Sequence, residues 1–384
     1  MTGPRQPTTV PCSLAPPLPY PQEVPSRPAI PESDLDHGEL ALLRHIRDRA
    51  AYRPSTALRL GIGDDCALIR PRPGQELAVT TDLSIAGRHF RLDWHPPESA
   101  GHRALARGLS DLAAMGARPI AAFLSLGLPR ELTKSAARRR TTSPNDPAWP
   151  TWTSRFLDGL LALAAAYKTP LAGGDLSESL VPLADIVLIG AVPRGKALLR
   201  STARAGHLLY VTGTLGGSAA ALARLAELAR SSRPAEDQPA RPHPLRIPKK
   251  LEALLAPHLY PQPRIAQGLW LLHHSLASAA IDLSDGLSTD LAHLCEESHI
   301  ASEVDAARLP IHPAATLTQA LNGGEDYELL FTAPASARIP KRIARVPITR
   351  IGRILSARSN RPTVTLLTPQ GPQPLRPQGW QHFC

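Results

Sequence analysis

The sequence predicts a mixed α/β protein of two domains, and three observations carry that expectation. The chain has 384 residues, 43% of them hydrophobic, and at roughly 100–200 residues per domain this supports about two cores. Short β-like apolar runs alternate with segments of helical spacing from Gly38 onward. A strand, glycine turn and helix restart the alternation at Leu208, which places the junction of the two halves near residues 195 to 206. The expected divisions are a leader over 1–34, an N-terminal domain over 35–200 and a C-terminal domain over 201–384.

The leader holds ten prolines in its first 31 residues and no periodic apolar pattern, the composition of a disordered segment. Helical spacing starts near Gly38, with Leu40, Leu43 and Ile46 on one face. Strand-like runs follow at Leu58 to Gly63, Leu77 to Thr81 and Ile120 to Leu126, and a helix from Ser99 to Met115 presents Leu105, Leu109, Leu112 and Met115. Arg138 to Pro150, with RRR, TTSPND and PAWP, reads as a solvent-exposed loop. A helix over Ser154 to Tyr167 precedes strands at Pro170 to Ala172 and Asp185 to Ala191. Leu208 to Thr212 is a strand, Ser218 to Ala229 a helix, and Ser231 to Pro248 a second proline-rich interruption. The remainder alternates, with strands at Ala279 to Leu283, Tyr327 to Thr332 and Thr363 to Leu367.

Composition excludes several function classes. Lys plus Arg total 43 against 33 acids, a net charge of +10, which invites a nucleic-acid reading. Yet the basic runs at Arg138 to Arg140 and Lys249-Lys250 lack interleaved aromatics, so solvated loops explain them better. No nucleic-acid partner is expected. The apolar runs are far shorter than the ~18 residues of a membrane span, so no membrane association is expected either. Cys12, Cys66, Cys295 and Cys384 are widely separated, with no metal or disulfide spacing, which suits a reducing cytoplasm.

The acids are more informative than the net charge. Many of them are expected in glycine-bounded turns at the ends of apolar strands: GIGDD at Gly61 to Asp65, TTD at Thr80 to Asp82, LSDLAAMG at Leu109 to Gly116, AGGD at Ala172 to Asp175, IDLSDG at Ile281 to Gly286 and GGEDYE at Gly323 to Glu328. Each alone is ordinary turn or helix-cap chemistry. Asp111 is harder to explain that way, because it sits inside a helix where its structural alternative is an ion pair with Arg107, four residues earlier, worth only about 0.2–0.5 kcal/mol. If the segments converge, like charges repel by about 4 kcal/mol per pair at 4 Å and an effective dielectric of 20. Convergence therefore requires cations. Oxygen ligands without His or Cys favour Mg²⁺ or Ca²⁺, and Mg²⁺ commonly joins one or two carboxylates to substrate phosphates. There is no G-x-x-x-x-G-K-[ST] and no protein-kinase motif set. VTGTLGGSAA at Val211 to Ala220 reads first as a structural turn and second as an anion nest.

Taken in order, these motifs, with GRHF at Gly87 to Phe90, LLRSTARAG at Leu198 to Gly206 and GWQHF at Gly379 to Phe383, resemble the thiamine-monophosphate kinase family of the aminoimidazole-ribonucleotide synthetase superfamily. The likeness runs from Gly38 to the end. It implies an N-terminal Mg/ATP-binding sheet domain that forms a homodimer, a C-terminal α/β domain, and a site in the cleft between them. It also implies phosphorylation of thiamine monophosphate by ATP with several Mg²⁺ ions. By motif, Asp65, Thr80, Thr81, Asp82, Asp111, Asp175 and Asp282 would serve the Mg²⁺ sites, with Asp285 holding a further ion near the transferring phosphate. Gly174, Asp175, Arg200 and Ser284 would contact ATP, and His89, Glu325 and Trp380 the thiamine phosphate, with Glu325 and the Trp380 ring facing its cationic thiazolium.

The chemistry suits that assignment. A phosphate monoester has its second pKa near about 6, so the acceptor oxygen is already anionic and needs no general base. Positioning and charge neutralisation are what phosphoryl transfer requires, by direct in-line attack. Gly108 stands where the family usually has asparagine, Leu176 where it has threonine and His207 where it has aspartate. Gly108 leaves a polar contact unfilled. The competing readings are another superfamily enzyme, such as a selenophosphate or aminoimidazole-ribonucleotide synthetase, and a basic nucleic-acid-binding protein. The selenium chemistry usually needs a Cys and Lys in a glycine-rich segment before GIGDD, and no such pair is present.

Overall fold

The computed structural model describes residues 39–50, 57–133, 152–231, 245, 247–357 and 363–380. The leader, the 138–150 insertion, most of the segment from Ser231 to Pro248 and the last four residues lie outside these. The described chain begins with α1 (Glu39–Arg49), the short pair β1 (Leu58–Leu60) and β2 (Leu68–Ile69), β3 (Gln75–Ile85), α2 (Pro97–Ala114), β4 (Arg118–Leu128) and the single turn α3 (Arg130–Thr133). There follow α4 (Trp152–Ala166), β5 (Leu171–Glu178) and β6 (Leu183–Pro193). Beyond these come β7 (Leu208–Thr212), α5 (Gly217–Ser231), α6 (Glu252–Leu259), α7 (Ile265–His273), β8 (Ala279–Asp282), α8 (Leu287–Glu297) and β9 (Ile300–Asp305). The described chain ends with α9 (Leu317–Asn322), β10 (Leu329–Ala333), β11 (Arg342–Ile343), β12 (Val346–Ser356), β13 (Val364–Thr368) and β14 (Gly371–Pro374).

One sheet has the order β3-β6-β4-β5, antiparallel except for β4 beside β5. The other runs β14-β13-β9-β12-β7-β10-β8, with β11 paired to β12. The mixed α/β fold expected from the alternating pattern is therefore present. Helix α2 joins the two, touching β3 and β6 on one side and β8 on the other. Pro97 opens it, where a missing N–H costs nothing. Leu105, Leu109 and Leu112 are at most 1% exposed and pack with Leu160, Ile186 and Leu188; each such side chain contributes roughly 1.5–3 kcal/mol by leaving water. The helix is buried well beyond that apolar face, because Ser99, His102, Arg103 and Ser110 are buried too. Its crossing with α4 is close because Gly101 and Gly159 carry no Cβ: one built at either would lie 1.8 Å from the carbonyl oxygen of Phe156 or Glu98.

Several segments differ from expectation. TTD and AGGD do not sit in turns. Strand β3 continues through Thr80-Thr81-Asp82 to Ile85, and β5 continues through Gly173-Gly174-Asp175 to Glu178. Glycine allows the second: a Cβ at Gly174 would meet the Leu124 carbonyl oxygen at 1.9 Å, so the neighbouring strand could not approach. Conversely, Glu325 and Tyr327 take left-handed backbone angles (φ 65° and 51°), so the strand expected from Tyr327 starts only at Leu329.

Candidate active site

Strand alternation sorts the residues of β3. Thr80, Asp82 and Ser84 pair opposite Leu188, Ile186 and Ala184 and face α2, whereas Leu77, Val79, Thr81 and Leu83 point to the other, exposed face. The Thr81 side chain thus does not join Thr80 and Asp82. On α2, the Asp111 carboxylate accepts from the Thr80 hydroxyl, and Ser110 Oγ donates to Asp282 Oδ2 at 2.7 Å across to β8.

Asp82, Asp111, Asp282 and Asp285 line one cavity of about 510 Å³ together with His89, Glu325 and Trp380. Asp111 and Asp282 also wall an adjacent cavity of about 450 Å³, which contains Thr80 and Arg200. Ser284 faces the first. The predicted acids of β3, α2 and β8 therefore do gather. Asp65, Gly174 and Asp175 do not gather with them: they line a separate cavity of about 450 Å³ with Asp64. Sheet order explains the separation, because β3 and β5 are opposite edges three strand spacings apart, about 14 Å. Within one chain the predicted carboxylates thus fall into two groups.

The electrostatics of the first group are those of crowded acids. Burial pushes Asp282 up to about 7, the nearby Asp111 charge adds to it, and the Ser110 bond and Arg200 oppose it. Burial raises Asp111 as well, against the Thr80 hydrogen bond and the charges of Arg200 and Arg107. Asp82 is pushed up to about 6 by burial despite Arg107. The ion pair of Arg107 differs from the helical one considered above: Nε donates to Asp82 Oδ2 at 2.8 Å, a tertiary partner, and not to Asp111.

Buried, mutually repelling oxygens with no His or Cys among them form a donor set that fits a hard divalent cation. Among the described residues no group of three His, Cys, Asp or Glu is arranged to hold a metal ion. Mg²⁺ does not demand one, since it is held through one or two carboxylates, substrate phosphates and water.

A second network lay beyond sequence reasoning. Arg103, with a side chain 5% exposed, donates from Nη2 to both Glu325 oxygens at 2.5 and 2.7 Å. Burial alone would raise Glu325; Arg103 and Arg107 outweigh it and hold the carboxyl below its ordinary range. Glu325 therefore meets the cavity with its charge already compensated. Arg103 Nη1 also donates to His258 Nε2 at 3.1 Å, which fixes that nitrogen as an acceptor and puts the His258 proton on Nδ1, toward Ser218 and Glu325. His95 Nδ1 accepts from the Arg91 N–H, so its proton is on Nε2 and points at His258. The only sequence signal was the polar residues Ser99, Arg103 and Arg107 recurring at four-residue spacing on an apolar helix.

His89 Nδ1 accepts from the Ile85 N–H at 3.0 Å, which holds its ring at the cavity. The half-exposed Trp380 is tied by its backbone N–H to the Asp285 carbonyl at 3.1 Å. Trp94, which the motifs did not single out, lines the same cavity.

Comparison with known proteins agrees with this architecture. Residues 63–192 match the family described as AIR synthase related protein, N-terminal domain. The chain is 40% identical over 331 residues to thiamine-monophosphate kinase of Escherichia coli K12, covering 83% of this chain and 90% of that one. It is similar to the crystal structure of thiamine-monophosphate kinase from Stenotrophomonas maltophilia K279a, with 36% identity, a TM-score of 0.66 and coverage of 86% and 96%. It also resembles AaThiL complexed with AMPPCP and TMP, with 28% identity, a TM-score of 0.63 and coverage of 92% and 99%.

Proposed function

We infer that this chain, which belongs to the thiamine-monophosphate kinase family, transfers a phosphoryl group from ATP to thiamine monophosphate, giving thiamine diphosphate and ADP. The observation that carries the mechanism is the wall formed by Asp111 and Asp282, which is common to two cavities of different character. The one with Arg200 suits nucleotide phosphates, for which a guanidinium fork is shaped. The one with His89, Trp94 and Trp380 suits a cationic, aromatic thiamine. Ser284 and Asp285 line this second cavity, close in sequence to Asp282, which both cavities share.

Asp82, Asp111, Asp282 and Asp285, with Thr80 beside them, would hold Mg²⁺, which would supply charge neutralisation for two polyanions. Asp82 has Oδ2 engaged by Arg107, which leaves Oδ1 for the ion. Arg200 orients the donor, the indoles of Trp94 and Trp380 hold the acceptor ring, and Asp285 stands by the transferring group. The acceptor phosphate is already ionised, so no side chain has to remove a proton and transfer is direct, without a phosphoenzyme.

The exposed stripe of Leu77, Val79 and Leu83 supports a homodimer built on the outer face of the smaller sheet. In that dimer Asp65, Gly174 and Asp175 serve metal and nucleotide at the partner's site, which accounts for their distance from Asp82 within one chain. The expected compartment is the cytoplasm; among the described residues Cys66 and Cys295 are free thiols, and no helix is long and apolar enough to cross a membrane.

The test is a coupled ADP assay. Turnover is expected only with ATP, Mg²⁺ and thiamine monophosphate together, and Asp285→Asn should abolish it while leaving the melting curve intact. ADP formed equally with free thiamine, or only with selenide or an aminoimidazole ribonucleotide precursor, would overturn the assignment.

A further inference from the structure

We propose that Arg107 is the residue that positions the thiamine substrate by its phosphate, a role that rests on the kinase reading above and deepens it. Arg107 projects from α2 into the larger cavity, and its side chain is 17% exposed. Two of its nitrogens are anchored on β3: Nε donates to Asp82 Oδ2 at 2.8 Å and Nη1 to Ser84 Oγ at 3.4 Å. Nη2 makes no hydrogen bond among the described residues. The guanidinium is thus held in one orientation with a donor group to spare.

The other cations around the cavity are committed elsewhere or lie more exposed than Arg107. Arg91 gives Nε and Nη2 to Asp93 and lies over the Trp94 ring at 4.5 Å. Arg103 is committed to Glu325 and His258. Arg88 is exposed, and among the described residues no salt bridge anchors it. A dianionic phosphate entering a space walled by Asp111, Asp282 and Asp285 must be met by a fixed positive charge that does not itself have to be recruited. Arg107 is built into the rigid helix one turn before Asp111 and supplies that charge. A planar fork suits two phosphate oxygens better than a lysine ammonium does. In this arrangement the Arg107–Asp82 pair acts as one unit: the carboxylate aims the guanidinium, and the guanidinium reads whether the thiamine carries a phosphate.

The test is substrate binding by the full chain, followed by tryptophan fluorescence without nucleotide and with divalent ions chelated. Wild type is expected to bind thiamine monophosphate more tightly than free thiamine. Arg107→Gln should lose roughly 10- to 100-fold in affinity for the monophosphate, the scale of a lost charge-assisted bond, with free thiamine unchanged. Arg107→Lys should recover only part of the preference, and carries the test if the glutamine variant fails to melt cooperatively. In turnover the glutamine variant should raise KM for thiamine monophosphate more than it lowers kcat. Loss of both ligands in parallel, or an unaltered preference in both variants, overturns the role of Arg107 while leaving the kinase reading intact. A wild-type chain that binds neither ligand without metal overturns this inference, because Arg107 then does not hold the phosphate, and one that also forms no ADP in the coupled assay overturns the kinase reading.

Discussion

Ser110 Oγ and Asp282 Oδ2 meet at 2.7 Å, joining α2 to β8 between two side chains that are 0% and 2% exposed. This bond sets the orientation of a carboxylate that would otherwise be buried beside Asp111 with little to oppose their repulsion. Removing the donor leaves the acceptor unsatisfied and favours its protonated form. Ser110→Ala is expected to cost about 1–3 kcal/mol in urea unfolding. It should also move the acid limb of the pH–activity profile upward, since the hydroxyl, together with the Arg200 charge, opposes the burial that pushes Asp282 up to about 7. An unmoved acid limb would show that Ser110 contributes to stability alone.

The two buried histidines set a pH dependence of stability. Burial, reinforced by the Arg103 charge, holds both His95 and His258 well below the usual 6.5. Both are therefore neutral in the fold while an unfolded chain protonates them near 6.5. A depressed folded value gives stability that is fully present above that pH and is lost as pH falls below it. The raised carboxylates such as Asp326, pushed up to about 7 by burial, act in the opposite sense, costing stability as pH rises from about 4. Comparison of wild type with His258→Gln isolates the histidine, because the carboxylates are common to both. The wild type should lose stability faster between pH 7 and pH 5, read from urea midpoints, and parallel curves would refute the account.

The opposite-edge placement of Asp175 and Asp82 yields a genetic-style test of the dimer. If Asp175 serves the partner's site, Asp175→Asn and Asp282→Asn homodimers are each inactive, but a mixed dimer has one site with both lesions and one with neither. Mixing and exchanging subunits should then restore about a quarter of wild-type turnover, as expected for random twofold pairing. Absence of any recovery, with exchange demonstrated by labelled subunits, would place Asp175 in its own chain's site.

These contrasts show what a linear reading reaches. The acids of TTD, LSD and IDLSDG were legible because a basic protein concentrates them beside glycine and apolar runs, and the structure brings Asp82, Asp111 and Asp282 to one cavity. The separation of Asp65 and Asp175 was not legible, because spacing along a chain says nothing about the order of strands in a sheet. Arg107 was read against Asp111 by the four-residue rule of an isolated helix. In the fold it is taken by Asp82, 25 residues away, since tertiary partners outweigh a local pair worth a few tenths of a kcal/mol. The compensation of Glu325 by Arg103 spans 222 residues and left only a polar residue on an apolar helix as its trace.

Gly108 shows how a departure from the family pattern fits its surroundings. The sequence suggested a missing polar contact where asparagine is usual. The structure gives a steric reason instead: a Cβ at Gly108 would lie 2.7 Å from Leu188 Cδ1, and Leu188 is itself 0% exposed in the core between α2 and β6. Helix and sheet are therefore drawn together at this point, next to Arg107 and about one turn from Asp111. A side chain here must either displace Leu188 or push α2 off the sheet. The first costs about 1–3 kcal/mol as overpacking; the second also moves Asp111 relative to Thr80. Gly108→Asn is expected to lower the unfolding free energy by that amount and to reduce turnover. Adding Leu188→Ala, which opens the space the new side chain needs, should return part of both losses, even though the leucine truncation alone is destabilising. Strictly additive losses in the double variant would mean that the Gly108–Leu188 contact does not govern how α2 sits on the sheet.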